Sequence, residues 1–154
     1  MSSSDLADEL ARERDGFLEA LGAVLPESMT TPGLVGEWSA REVIAHLGYW
    51  VGHATETIHA VEQGRPMEAG PSVDEVNETV ARIARDTDLA TVRRREEASV
   101  DALVDRLRAL DPALLDVARP EGDTLRDAIR DDGSEHYREH ADALRATLAE
   151  PPRG

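Results

Sequence analysis

Apolar residues recur at three- and four-residue intervals along most of the chain, the spacing of one face of an α-helix. In a first segment, from about 4 to 25, Leu6, Leu10, Phe17, Leu21 and Val24 form a stripe that Pro26 stops. A loop follows, broken by Thr31-Pro32-Gly33 and Gly36. The second segment opens with Ser39 and Glu42, three residues apart, the pattern of a capping box. Its stripe is Val43, Leu47, Trp50, Ala54, Ile58 and Val61, ended by Gly64 and Pro66. The third segment divides. Ser72 and Glu75 cap a short piece carrying Val76, Val80 and Ile83; a break falls at Asp86-Thr87-Asp88; the main helix runs from about 89 to 110 with Val92, Val100, Leu103, Leu107 and Leu110 inward. The fourth segment is expected to run unbroken from 123 or 124 to about 150, burying Leu125, Ile129, Ala143, Leu144 and Leu148 before Pro151-Pro152 ends it. No strand-like alternation or repeat occurs. Four amphipathic helices with modest connections predict an all-α, four-helix bundle occupying 1–154 as one domain.

Composition narrows the classes. No apolar run approaches the roughly 20 residues that span a bilayer, so no membrane partner is expected. The N-terminus, Met1-Ser2-Ser3-Ser4-Asp5, lacks the basic and apolar regions of a secretory signal. Without cysteine there is no disulfide, no thiolate metal site and no cysteine nucleophile. These features point to the cytoplasm. The net charge of −15 repels phosphate backbones, so no nucleic acid is expected as partner. The one basic run, Arg93-Arg94-Arg95, is followed at once by Glu96 and Glu97 and is read as a solvated helix face.

The chemistry concentrates in the histidines, of which there are five. His136 and His140 are four apart, so both imidazoles lie on one helix face and can grip one ion. The step Leu125, Ile129, Asp132, His136, His140 puts polar groups where a continuous stripe would be apolar, which is costly unless something satisfies them. The plainer alternative is an accidental pair on a charged surface. His46, beside Leu47 at the edge of the second stripe, is the natural third ligand, since bundle ligands project inward from facing helices. Its alternative is a packed core histidine. His53 is one heptad further along and lines the same cavity or stays partly exposed; His59 is given no role. Glu96 falls between Val92 and Val100 on the third stripe, and Asp132 one turn before His136. Either is a candidate catalytic carboxylate, orienting a histidine or moving protons, and either is alternatively an end residue reaching water. Glu13 interrupts the first stripe in the same way. Aromatics are only 3% of the chain. Trp50 and Tyr137, with His53, are the candidates for lining a substrate cavity, while Trp38 packs at the entry to the second helix.

The segment Glu37-Trp38-Ser39-Ala40-Arg41-Glu42-Val43-Ile44-Ala45-His46-Leu47, followed by Trp50, resembles the helix-two signature of the DinB/YfiT-like superfamily. The ending Glu135-His136-Tyr137-Arg138-Glu139-His140 resembles that superfamily's second histidine motif. Together with Val73-Asp74-Glu75-Val76-Asn77, it is most similar to the colibactin-resistance-type (ClbS/DfsB) subgroup of cyclopropane hydrolases. The resemblance implies an up-down-down-up bundle, often a homodimer, with a three-histidine site for zinc or nickel at His46, His136 and His140. It implies thiol transfer or isomerisation with bacillithiol or mycothiol, or hydrolysis of a reactive small molecule; the hydrolase subgroup does not clearly depend on metal.

Three neutral imidazoles leave a coordination position open, where a metal activates water or a thiolate. The expected function is therefore an enzyme attacking an electrophilic metabolite, as hydrolase or thiol transferase, in detoxification or self-resistance. The alternatives are a metal-independent hydrolase and a protein that sequesters a reactive small molecule without turnover.

Overall fold

The computed structural model describes residues 1–150. Six helices form: α1 (Ser3–Leu21), α2 (Ala40–Glu62), α3 (Val73–Arg85), α4 (Leu89–Ala109), α5 (Leu125–Asp132) and α6 (Ser134–Ala149), with short 3-10 turns at Pro26–Ser28 and Pro112–Asp116. No strand occurs among the described residues, and two isolated bridges, Val35 to Trp38 and Ala118 to Thr124, only pinch loops.

Helix starts follow side-chain chemistry. Ser39 accepts from the Glu42 amide while Glu42 returns to the Ser39 amide; Ser72 accepts from Glu75 and Asp88 from Thr91. Each satisfies an amide that the helix itself leaves without a partner. α1 stops at Leu21, four residues earlier than its stripe suggests, because Gly22 and a turn redirect the chain before Pro26. Leu25 is consequently 61% exposed.

The four long elements pack in the cyclic order α1, α4, α2, α5–α6. Ser3 on α1 reaches the carbonyl of Leu110 at the end of α4, and Arg14 meets Glu96, so α1 and α4 are antiparallel. Glu9 pairs with Ser134 and Gly16 with Arg145, so α1 and α6 are parallel. Gly48 lies on Glu96 and Glu62 pairs with Arg106, so α2 and α4 are parallel. The result is the up-down-down-up bundle. Leu6, Leu10, Phe17, Val43, Leu47, Val51, Ile58, Leu103, Leu107, Leu125 and Leu144 fill its core.

Gly48 lets α2 come close to α4: a Cβ there would fall 3.0 Å from the Cα of Glu96. α3 lies outside the bundle, along α2. Glu42 meets Arg85 and Trp50 meets Asn77, an antiparallel register. Only Ala81 and Ala84 of α3 are buried, and Ile83, expected inward, is 53% exposed.

The fourth segment is not one helix. At Gly133 the backbone takes φ −112° and ψ −103°, ending α5 and starting α6. The break rotates the buried face. Tyr137, Ala141 and Leu144 point inward on α6, while Ala143 and Leu148 are exposed. The expected stop at Pro151-Pro152 lies outside the described residues.

Candidate metal centre

The site is built where α2 faces the start of α6. His46, in the second turn of α2, is buried, and His136 and His140 are half-buried one turn apart on α6. The Nε2 atoms of His46 and His136 are 2.8 Å apart. Each of the three rings offers one nitrogen, and these all lie within 4.8 Å of one another. The three ring centroids are 4.6, 5.0 and 4.9 Å apart. Two nitrogens on one tetrahedral zinc, with bonds of about 2.0–2.1 Å, are separated by roughly 3.3 Å. The cluster therefore brackets that spacing, and its all-imidazole donor set suits zinc or nickel.

Protonation favours the same use. Burial first, then the neighbouring rings of His136 and His140, hold His46 down at about 3. Burial and the charge His140 would carry hold His136 at about 4. His140 is lowered by burial. All three are neutral near pH 7 and have lone pairs to give. The Nδ1 atoms of His46 and His140 are buried without a hydrogen-bond partner. Buried polar atoms ordinarily find partners, so a cluster this incomplete has room for a further group.

Aromatic and amide neighbours shape the surroundings. Trp38, at the entry to α2, places its ring 5.0 Å from that of His46. Trp50 donates its indole N–H to Asn77 Oδ1 at 2.8 Å. Asn77 thereby stands beside the His46 ring, where it favours the protonated form, though without closing a hydrogen bond of normal geometry. Asn77 appears in the sequence only as the end of the motif Val73-Asp74-Glu75-Val76-Asn77, with no site role given to it. Its signal was the unsatisfied indole donor of Trp50, one turn from His46, which a partly buried tryptophan must pair.

His53 and Asp132 are joined directly, Nδ1 to Oδ2 at 2.7 Å, and the ring of Trp50 lies 5.1 Å from that of His53. The main-chain carbonyl of Asp132 also stands beside the His136 ring, so one residue touches both pairings. Beside His53 opens a polar recess of about 600 Å³ that includes Tyr49, Gly52, Glu56, Arg65 and Glu68. An apolar cavity of about 240 Å³ lies between α2, α3 and α4, lined in part by Ala45, Val80, Ile83 and Val92.

Glu96 and Tyr137 are placed elsewhere. Tyr137 is 0% exposed and packs edge-on against Phe17. Its hydroxyl donates to Glu96 Oε1 at 2.6 Å. Glu96 also receives both arms of the Arg14 fork, at 2.7 and 2.8 Å. The rotation at Gly133 explains this: it turns Tyr137 to the core and leaves its sequence neighbour His136 at the edge. Tyr137 is held away from any open surface, and both Glu96 oxygens are engaged. Glu13, noted for interrupting the first stripe, is only half-buried.

Solved structures share this architecture. An uncharacterised protein from Escherichia coli UTI89 superposes with a TM-score of 0.80 at 14% identity, covering 94% of this chain and 91% of its own. The colibactin self-resistance protein ClbS, in a complex with double-stranded DNA, superposes with a TM-score of 0.75 at 16% identity over 96% of each chain. The second structure corrects the expectation of no nucleic acid: a bundle of this kind is compatible with bound duplex, so net charge is no ground for excluding one. No helix among the described residues is long and apolar enough to cross a membrane. No curated protein matches the sequence significantly. The profile of the mycothiol maleylpyruvate isomerase N-terminal domain matches residues 10–136, and the chain thus belongs to that family, a DinB/YfiT-like one, with a fold of the ClbS type.

Proposed function

We propose that this protein is a metal-dependent enzyme that attacks an electrophilic small molecule, by hydrolysis or by transfer of a low-molecular-weight thiol, in detoxification or self-resistance. The observation that carries this reading is the convergence of His46, His136 and His140 with two buried Nδ1 atoms left unpaired. Those three residues would hold a zinc or nickel ion, which when bound lowers the pKa of water or of a thiol and so supplies a nucleophile at neutral pH. Burial keeps the imidazoles neutral for that purpose. Trp38 restricts water around His46, and Asn77 fixes Trp50. Because the chain has no cysteine, sulfur must come from a co-substrate such as mycothiol. Glu96 and Tyr137 take no chemical step in this reading, since each is occupied by the other and by Arg14.

Elemental analysis of the purified protein beside His46→Ala, His136→Ala and His140→Ala tests the site. One equivalent of metal in the parent and none in the variants is expected; equal metal in all four overturns it. Turnover of a test electrophile with and without mycothiol then separates the chemistries. Turnover only with thiol removes the hydrolase. Stoichiometric binding without product points to sequestration. The same preparations test two further parts of the reading: that 1–154 behaves as one cooperative domain, and that the protein is a homodimer by sedimentation.

A second reading, contact with duplex DNA, draws support from the ClbS complex and from Arg93, Arg94 and Arg95, which are all exposed near the start of α4. With a net charge of −15, such contact would rest on this local patch and be steeply salt-dependent. Fluorescence anisotropy of a labelled duplex, with the triple Arg→Ala variant as control, decides: no change in anisotropy at 50 mM salt ends it.

A further inference from the structure

The His53–Asp132 pair is not explained by stability. The two side chains are 34% and 19% exposed, a setting in which such a contact adds little to stability. Asp132 is the last residue of α5, where the helix dipole disfavours a carboxylate. Its Oδ2 takes the Nδ1 side of His53, the Trp50 ring flanks the imidazole, and His53 lines the recess of about 600 Å³. That volume lies within the roughly 300–1,000 Å³ of small-molecule sites.

A carboxylate on Nδ1 has a defined chemical consequence. It favours the tautomer with the proton on Nδ1 and leaves Nε2 with a free lone pair, the form needed to take a proton from a nucleophile. We propose that His53 and Asp132 form a proton-transfer dyad beside the three-histidine site, with His53 Nε2 as the base and Asp132 as its positioning residue. The proposal rests on the enzymatic reading above and adds the group that reading lacks. The juxtaposition is local: Asp132 holds His53 with its side chain and flanks His136 with its main-chain carbonyl. In hydrolysis of an ester probe, the water oxygen bonds to the carbonyl carbon while His53 Nε2 accepts a water proton. The bond from that carbon to the leaving oxygen breaks with its electron pair. Acetate and the phenolate depart, and two protons in all reach solvent.

The probe is 4-nitrophenyl acetate, with zinc-loaded full-length protein under multiple turnover. His53→Gln is expected to lose about 100-fold in rate or more while keeping its zinc, and free imidazole is expected to restore part of the rate to His53→Ala. Asp132→Asn should lose less. Nitrogen-15 imidazole spectra give a second readout that needs no substrate. His53 is expected as the Nδ1–H tautomer in the parent and is expected to shift towards Nε2–H in Asp132→Asn. Unchanged turnover in zinc-bound His53→Gln overturns the proposal, as does an Nε2–H tautomer in the parent. A protein inert to the ester but carrying Nδ1–H at His53 sinks the hydrolytic reading and leaves the oriented pair supported. An active protein with Nε2–H does the reverse.

Discussion

Among the polar clusters that interrupt the apolar interior, two are finished to different degrees. Around Glu96, every strong group has a partner: the carboxylate takes two bonds from Arg14 and one from the Tyr137 hydroxyl. Around His46, two buried ring nitrogens have none. A satisfied buried network rigidifies the packing around it. An unsatisfied one persists only where something else completes it or where the cost is tolerated for use. From residue types alone both clusters looked functional; they differ in how many of their buried polar atoms find partners.

The largest effect expected from breaking this contrast is on the finished cluster. Glu96→Ala leaves the Arg14 guanidinium, whose pKa Glu96 raises chiefly through its hydrogen bonds, without a counter-charge. The cost is about 3–5 kcal/mol of folding stability, read from urea denaturation, with zinc affinity unchanged. A matching loss of zinc would mean that the two clusters are one. His140→Ala reverses the pattern: stability without metal is nearly kept, but the roughly 2.7 kcal/mol that zinc at 100 times its Kd confers by mass action disappears. Calorimetric melting with and without zinc measures it. Gly48→Ala pushes a methyl into the α4 backbone and should cost about 1–3 kcal/mol. Tyr137→Phe removes one donor and leaves Glu96 its arginine, about 1 kcal/mol.

Stability also follows pH below neutrality. His46 and His136 have folded pKa values below that of a free imidazole, about 3 and 4. The unfolded chain therefore binds their protons first as pH falls through about 6.5, and stability declines from there towards pH 4, with no penalty above it. Urea midpoints from pH 7.5 to 5 should fall less steeply in His46→Asn. A flat profile in the parent would show that these rings are not desolvated.

Much of the fold was legible because caps and breakers act locally. Ser39 with Glu42, Ser72, and the Asp86-Thr87-Asp88 break all sit where the sequence put them. Gly133 was not read as a break, because a glycine within a periodic stretch is tolerated in many helices. That one residue misassigned the faces of Ala143, Leu148 and Tyr137. The i,i+4 spacing was enough to put His136 and His140 together. Their meeting with His46, and that of His53 with Asp132, depend on how α2 and α6 face each other, which no local spacing encodes. The place of Asn77 beside Trp50 was illegible for the same reason, since α3 reaches the site from outside the bundle.

The glycine at position 48 sets a limit on how this protein can drift. With hydrogen as the only substituent at 48, α2 rests directly on the Glu96 backbone. A slip of one helical turn would displace α2 by about 5.4 Å, against a His46–His136 separation of 2.8 Å. Substitutions on the exposed face of α3 leave this contact untouched, whereas any side chain at 48 must push the α4 backbone aside.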